Sequence, residues 1–140
     1  MNLGIAIAIA AQGFKNRNDK GGKPYILHCI RVMDKVHTIE EKILAILHDC
    51  VEDGVCTIEE LRQIGFTEDI LDDLKLLTHN PEDDYLNVYV KKIATSRRAV
   101  NVKKADLEDN SNITRMKDVT KKDFDRLEKY HLAYRYLSKI

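Results

Sequence analysis

The sequence predicts an all-α protein, a compact helical bundle, on three observations. Helix punctuation recurs: Thr38-x-x-Glu41 and Thr57-x-x-Glu60 read as capping boxes, and Gly54 and Gly65 stand where the helices they open would stop. Apolar residues return at helical spacing, as in Tyr85, Val88, Tyr89 and Ile93. No segment alternates convincingly between apolar and polar residues, and 6 Gly with 2 Pro are too few for the turns of a β-rich chain.

Each element follows from local chemistry. The apolar start, Leu3 to Ala11, reads as a buried first helix, and the loss of some upstream residues is compatible with it. No basic residue precedes it and it is far too short to span a bilayer, so neither a signal peptide nor a membrane anchor is expected. Lys15 to Lys23 is a polar loop containing Gly21-Gly22, and Pro24 suits the first turn of a helix running to about His37. Thr38 opens the next helix, Thr57 a short one, and Thr67, with Glu68 and Asp69 behind it, another. Asn80-Pro81 followed by Glu82, Asp83 and Asp84 combines an N-cap, an N1 proline and first-turn acids. A further helix is expected from about Ala99 to Thr114. Thr120 caps the last, in which Phe124, Leu127, Tyr130 and Tyr134 share a face and read as a core stripe.

Whole-chain quantities narrow the function. At 140 residues the chain reads as one domain, 1–140, large enough for a real core. Lys+Arg and Asp+Glu both total 23, which argues against bulk nucleic-acid binding but leaves room for a local basic pocket. Cys29, Cys50 and Cys56 are odd in number and lack CxxC spacing, so they read as reduced thiols of a cytoplasmic protein.

The most informative stretch is His48-Asp49-x-x-Glu52-Asp53, directly after the apolar run Ile43 to Leu47. Imidazole and carboxylate emerge from a segment that belongs in the core, where unpaired polar groups are costly. A divalent metal is an economical partner. On a regular helix His48 and Asp49 diverge by about 100° and meet one ion only if it lies over the edge between them. Two ligands do not make a tight site. His28, among Tyr25-Ile26-Leu27 and Cys29-Ile30, is the first candidate for a third, and Asp106 the next. Two imidazoles with two carboxylates suit Mn²⁺, Fe²⁺ or Zn²⁺ better than Ca²⁺; manganese is the first choice because it tolerates six-coordination with open positions. Such an ion acidifies water, and Glu52 and Asp53 would orient or deprotonate that water or protonate a leaving group. Each element alone has a plainer reading: a core histidine, a solvated helix end.

Together these residues resemble a known family. Tyr25-Ile26-Leu27-His28, then His48-Asp49-x-x-Glu52-Asp53, then Lys104-Ala105-Asp106-x-x-x-Asn110 is similar to the HD-domain hydrolase of the Rel/Spo homologues, especially their small stand-alone alarmone hydrolases. The resemblance runs from about Ala8 to Leu137. It implies an all-helical bundle of the HD phosphohydrolase type around one manganese ion. It implies His28, His48, Asp49 and Asp106 as metal ligands and Glu52 and Asp53 as the water-activating pair. The implied reaction removes the 3′-pyrophosphate of guanosine tetra- or pentaphosphate, giving pyrophosphate and GDP or GTP. Asn110 matches a residue near the ribose and phosphate end of the ligand, and Arg126-x-x-x-Tyr130 a late substrate-contacting pair. The chain departs from the family in the loop Gly13 to Lys20, in Cys29 where a proline is usual, and in Gly54 where a threonine is common.

A pyrophosphorylated nucleotide needs cations for its phosphates and a flat partner for its base. Lys15, Arg17, Lys20 and Lys23 offer charge, with Arg17 the basic counterpart of the family loop. Lys103 and Lys104 flank Asp106; one is expected to face the pocket, and Lys104 is the assigned contact. Tyr130 offers a ring, and Asn110 follows Asp106 by one helical turn. His37, His79 and His131 read as surface or structural. Three alternatives stay open: hydrolysis of an adenosine alarmone, removal of phosphate from NADPH, and a non-catalytic nucleotide-binding domain. A homo-oligomer is compatible with the sequence.

Overall fold

Helix α3 (Ile39–Glu52) is the axis on which four other helices pack. Thr38 accepts a hydrogen bond from the Glu41 N–H and Glu41 accepts one from the Thr38 N–H, both at 3.1 Å, closing the expected capping box. Every residue from Ile43 to Cys50 is buried, so this helix is covered all round rather than on one stripe. Burying each of Ile43, Leu44, Ile46 and Leu47 stabilises the fold by about 1.5–3 kcal/mol. Around α3 stand α1 (Leu3–Gly13), α2 (Ile26–Asp34), α5 (Glu68–Leu77) and α7 (Arg97–Asn110). The short helices α4 (Ile58–Ile64) and α6 (Val90–Ile93) and the long α8 (Lys121–Leu137) complete the bundle. The computed structural model describes residues 2–140; among them no strand forms, only one isolated bridge between Asn18 and Pro24. The fold is all-α, as the sequence predicts. No helix among the described residues is long and apolar enough to cross a membrane.

Several boundaries differ from expectation, each for a local reason. The first helix is an outer layer, not a buried one: Ala6 and Ala10 are fully covered, whereas Ile5 is 38% exposed. Pro24 does not open α2, because it is still paired with Asn18 across the loop; the helix begins at Ile26 and ends at Asp34, short of His37. Gly65 stops α4 in the left-handed region at φ +117°, as its position suggests. Asn80 caps no helix. Its carbonyl accepts from the Asp83 N–H and its side chain from the Glu82 N–H, which closes a tight turn. Asp84 is the cap instead, and residues Tyr85–Tyr89 form a wide turn with i→i−5 bonds that runs into α6. Helix α7 starts two residues early, capped by Ser96, and ends at Asn110; Ile113–Arg115 is a separate tight turn. On α8, Thr120 caps as expected, but the apolar stripe is core only in part: Phe124 is 55% exposed, Tyr130 and Tyr134 are half-buried against the core, and Ala133 and Leu137 are the fully buried residues.

Candidate metal centre

Three helices deliver four side chains to one point. His28 comes from α2, His48 and Asp49 from the last turns of α3, and Asp106 from α7. Their ligand atoms all lie within 4.8 Å of one another, and all four residues are buried. His28 Nε2 is 3.1 Å from Asp106 Oδ1 and 3.3 Å from Asp49 Oδ2. His48 Nε2 is 3.2 Å from Asp49 Oδ1 and 3.4 Å from Asp106 Oδ1. Ligand bonds of about 2.0–2.2 Å to a common ion place neighbouring donors roughly 3 Å apart, which matches these separations.

Both imidazoles are oriented from behind. His28 Nδ1 donates to Asp109 Oδ2 at 2.6 Å, and His48 Nδ1 donates to the Ala45 carbonyl, one turn earlier, at 2.8 Å. In the neutral imidazole those bonds place the proton on Nδ1 and aim the Nε2 lone pair inward. The buried Nε2 of His48 has no hydrogen-bond partner. The carboxylates are held as well. Tyr25 Oη donates to Asp49 Oδ2 at 2.7 Å; Lys103 Nζ and Asn110 Nδ2 donate to Asp106 at 3.0 and 3.1 Å.

The electrostatics favour a cation at the centre. Burial alone would lower both imidazole pKa values, yet the facing carboxylates outweigh it: His28 is raised to about 11 by Asp106, Asp109 and Asp49, and His48 to about 9 by Asp49 and Asp106. Burial would raise the two carboxylates; His48 and His28 instead hold Asp49 below its usual range, and Lys103 with the histidines holds Asp106 well below. Tyr25 stays a donor, because burial and Asp49 push its phenol upward. Burial likewise pushes the neighbouring Cys29 thiol up to about 12, so it does not compete as a thiolate. Two anionic oxygens and two inward nitrogens, one of them (His48 Nε2) buried without a hydrogen-bond partner, fit a divalent ion of the nitrogen and oxygen class.

The other expected residues divide. Arg17, Lys20, Asn110, Arg126 and Tyr130 line one cavity of about 330 Å³, and His28 stands in its wall. Arg17 reaches it because the loop is a built turn: Asp19 accepts from the Gly21 and Lys23 N–H groups at 2.9 Å, and the Tyr25 N–H donates to the Arg17 carbonyl at 2.8 Å. Gly21 presses against the Arg115 carbonyl, where any Cβ would collide. The assignment of Lys104 to the pocket is corrected. It lines a separate groove with Lys35, Glu108 and Tyr134. Lys103, three residues before Asp106 on the same helix, faces the centre instead. Glu52 and Asp53 do not stand side by side over the centre. Glu52 accepts from the His79 N–H at 2.8 Å, while Asp53 pairs with Arg17 at 2.5 Å; adjacent residues on a helix end diverge in this way. His79 is structural, its ring donating to the Asp83 carbonyl.

Sequence reasoning assigned no role to Tyr25, Asp109, Arg31 or Arg115. Asp109 was findable: it follows Asp106 by three residues and so shares its face of α7. Tyr25 and the two arginines carried no comparable signal, since their roles depend on how α2 meets the turn after α7. No family model matches this chain, and no curated protein matches it.

Proposed function

We propose that this chain is a metal-dependent phosphohydrolase of pyrophosphorylated nucleotides, with guanosine tetra- or pentaphosphate as its first substrate, releasing pyrophosphate and GDP or GTP. One observation carries the reading: a converging pair of imidazoles and pair of carboxylates opens, through His28, onto a cavity lined by five cations and two acids. The motif order similar to the Rel/Spo hydrolases supports the same reading and favours manganese, with iron or zinc as alternatives. A divalent ion held by His28, His48, Asp49 and Asp106 supplies acidified water and charge neutralisation. The chain's own residues do the rest. Arg17, Lys20 and Arg126 grip phosphate oxygens, and Tyr130 offers a ring face to a base. Arg17 is shared between Asp53 and the incoming ligand. A phosphate that takes Arg17 frees Asp53 to accept a proton from the attacking water, while Glu52 stays fixed on the His79 backbone.

Incubation of purified protein with manganese and a panel of guanosine and adenosine alarmones and NADPH tests the proposal. Pyrophosphate released from guanosine tetraphosphate, and lost on Asp49→Ala, is the expected result. Release from an adenosine alarmone, or inorganic phosphate from NADPH, keeps the site and changes the substrate. The engagement of both Glu52 and Asp53 favours one rival, a nucleotide-binding domain without turnover. Saturable binding of the panel with no product would establish that rival and end the hydrolase reading.

A further inference from the structure

Arg31 and Arg115 stand on the cavity wall and share a single carboxylate. Arg31 Nε and Nη2 donate to Asp109 Oδ1 at 2.8 Å and Oδ2 at 3.2 Å. Arg115 Nη2 donates to Asp109 Oδ2 at 3.2 Å and to the Asp109 carbonyl oxygen. The Asp109 side chain is 1% exposed, and the two arginines 31% and 29%. Among the described residues, Arg31 Nη1 and Arg115 Nη1 and Nε make no hydrogen bond. One buried carboxylate therefore faces two guanidiniums that keep spare donors and line the cavity. Convergent guanidinium donors match the oxygens of a phosphate. The same Asp109 Oδ2 accepts the His28 Nδ1 proton at 2.6 Å, so this carboxylate stands behind both the arginines of the cavity wall and the candidate metal centre.

We propose that Arg31 and Arg115 form a phosphate subsite in the cavity, and that Asp109 couples its occupancy to the grip of His28 on a divalent ion. The proposal rests on the reading of the cluster as a metal centre. The two guanidiniums draw negative charge from Asp109 and weaken it as an acceptor for His28 Nδ1–H. A phosphate on the arginines offsets part of their charge. Asp109 then pulls harder on Nδ1–H, and Nε2 becomes the stronger donor to metal. Phosphate and metal thus bind with positive coupling, and the coupling is reciprocal. Asp109 is a positioning residue, acting through His28.

Manganese affinity, read from the free-ion paramagnetic resonance signal, tests this with and without inorganic phosphate, and in a separate arm GDP. Phosphate is expected to tighten manganese at least about 5-fold. The stronger arm tells whether the natural occupant is a free phosphate or one carried by a nucleotide. Asp109→Asn should weaken manganese about 10-fold and abolish the phosphate effect while phosphate still binds. Arg31→Ala should lose the phosphate effect yet hold manganese as tightly as, or more tightly than, the parent, because a withdrawing charge is gone. Merely structural damage would loosen it, and Arg31→Lys should restore part of the coupling. Absence of manganese binding in the parent protein overturns the metal reading itself. Normal manganese binding with no phosphate effect overturns this inference alone. Coupling that survives Asp109→Asn assigns the effect to direct phosphate ligation and removes Asp109 from it.

Discussion

At the centre, His28, His48, Asp49 and Asp106 come from the interior faces of α2, α3 and α7, and none is more than 7% exposed. At the cavity mouth, Arg17 and Lys20 come from a loop and Arg126 from α8, and the Arg17–Asp53 pair is 44% and 31% exposed. Both regions are charged, yet they work in opposite ways. In the interior each charge is held by several partners, because an unpaired one costs several kcal/mol. At the mouth the pairs are solvated, each worth about 0–1 kcal/mol, so they can exchange partners with a ligand. A rigid centre beside an exchangeable rim is the arrangement that the proposed function requires, a fixed ion with interchangeable phosphates beside it.

Substitutions should break this contrast in graded steps. The largest effect is expected for Asp106→Ala. It removes a ligand and leaves Lys103 buried without its partner, costing about 3–5 kcal/mol in denaturant unfolding and more than about 100-fold in manganese affinity. Unchanged manganese binding would place Asp106 outside the centre.

Next comes pH. In metal-free protein the imidazoles are raised to about 9 and about 11, above the ordinary 6.5 of an unfolded chain. Their protonated forms stabilise the fold fully below pH 6.5, and that contribution is lost as pH rises through 9 and then 11. The melting temperature of metal-free protein should fall across that window. Manganese replaces those protons, so the loaded protein should lose less; parallel curves would argue against ion binding here.

A smaller effect is expected at the rim. Arg17→Ala should raise the KM for guanosine tetraphosphate about tenfold, the size of one charge-assisted contact, and change stability by no more than about 0.5 kcal/mol. A drop in melting temperature without a KM change would make the Arg17–Asp53 pair structural. Smallest is Lys104→Ala, which should leave KM within about twofold, since its ammonium lies over the Tyr134 ring in another groove. A larger change would return Lys104 to the substrate.

Of the four candidate ligand positions, His28, His48 and Asp49 were legible because each breaks a local rule, an imidazole or carboxylate beside or inside an apolar helical run; Asp106 lies in the charged stretch Lys103 to Asp109 and was legible only through the motif order. Thr38, Thr57 and Thr120 were legible as caps, since capping depends on residues three apart. The expected stripe on α8 held only in part, because periodicity reports that a face is apolar, not what covers it. Phe124 and Tyr130 satisfy the period, yet one faces solvent and the other the cavity. Lys103 and Lys104 were indistinguishable by composition. A 100° rotation on α7 separates them, and only the packing of that helix sets which one points inward.

By itself the sequence determined the helical class, the three capping boxes at Thr38, Thr57 and Thr120 and the residue types of a candidate ion-binding set, because these follow from spacing along the chain. Tertiary structure decided that α2, α3 and α7 bring those groups to one point, that Asp109 backs His28, and that two arginines share Asp109. Such contacts join residues 78 to 81 positions apart, and the direction of each side chain depends on helix rotation and crossing, which local spacing does not encode.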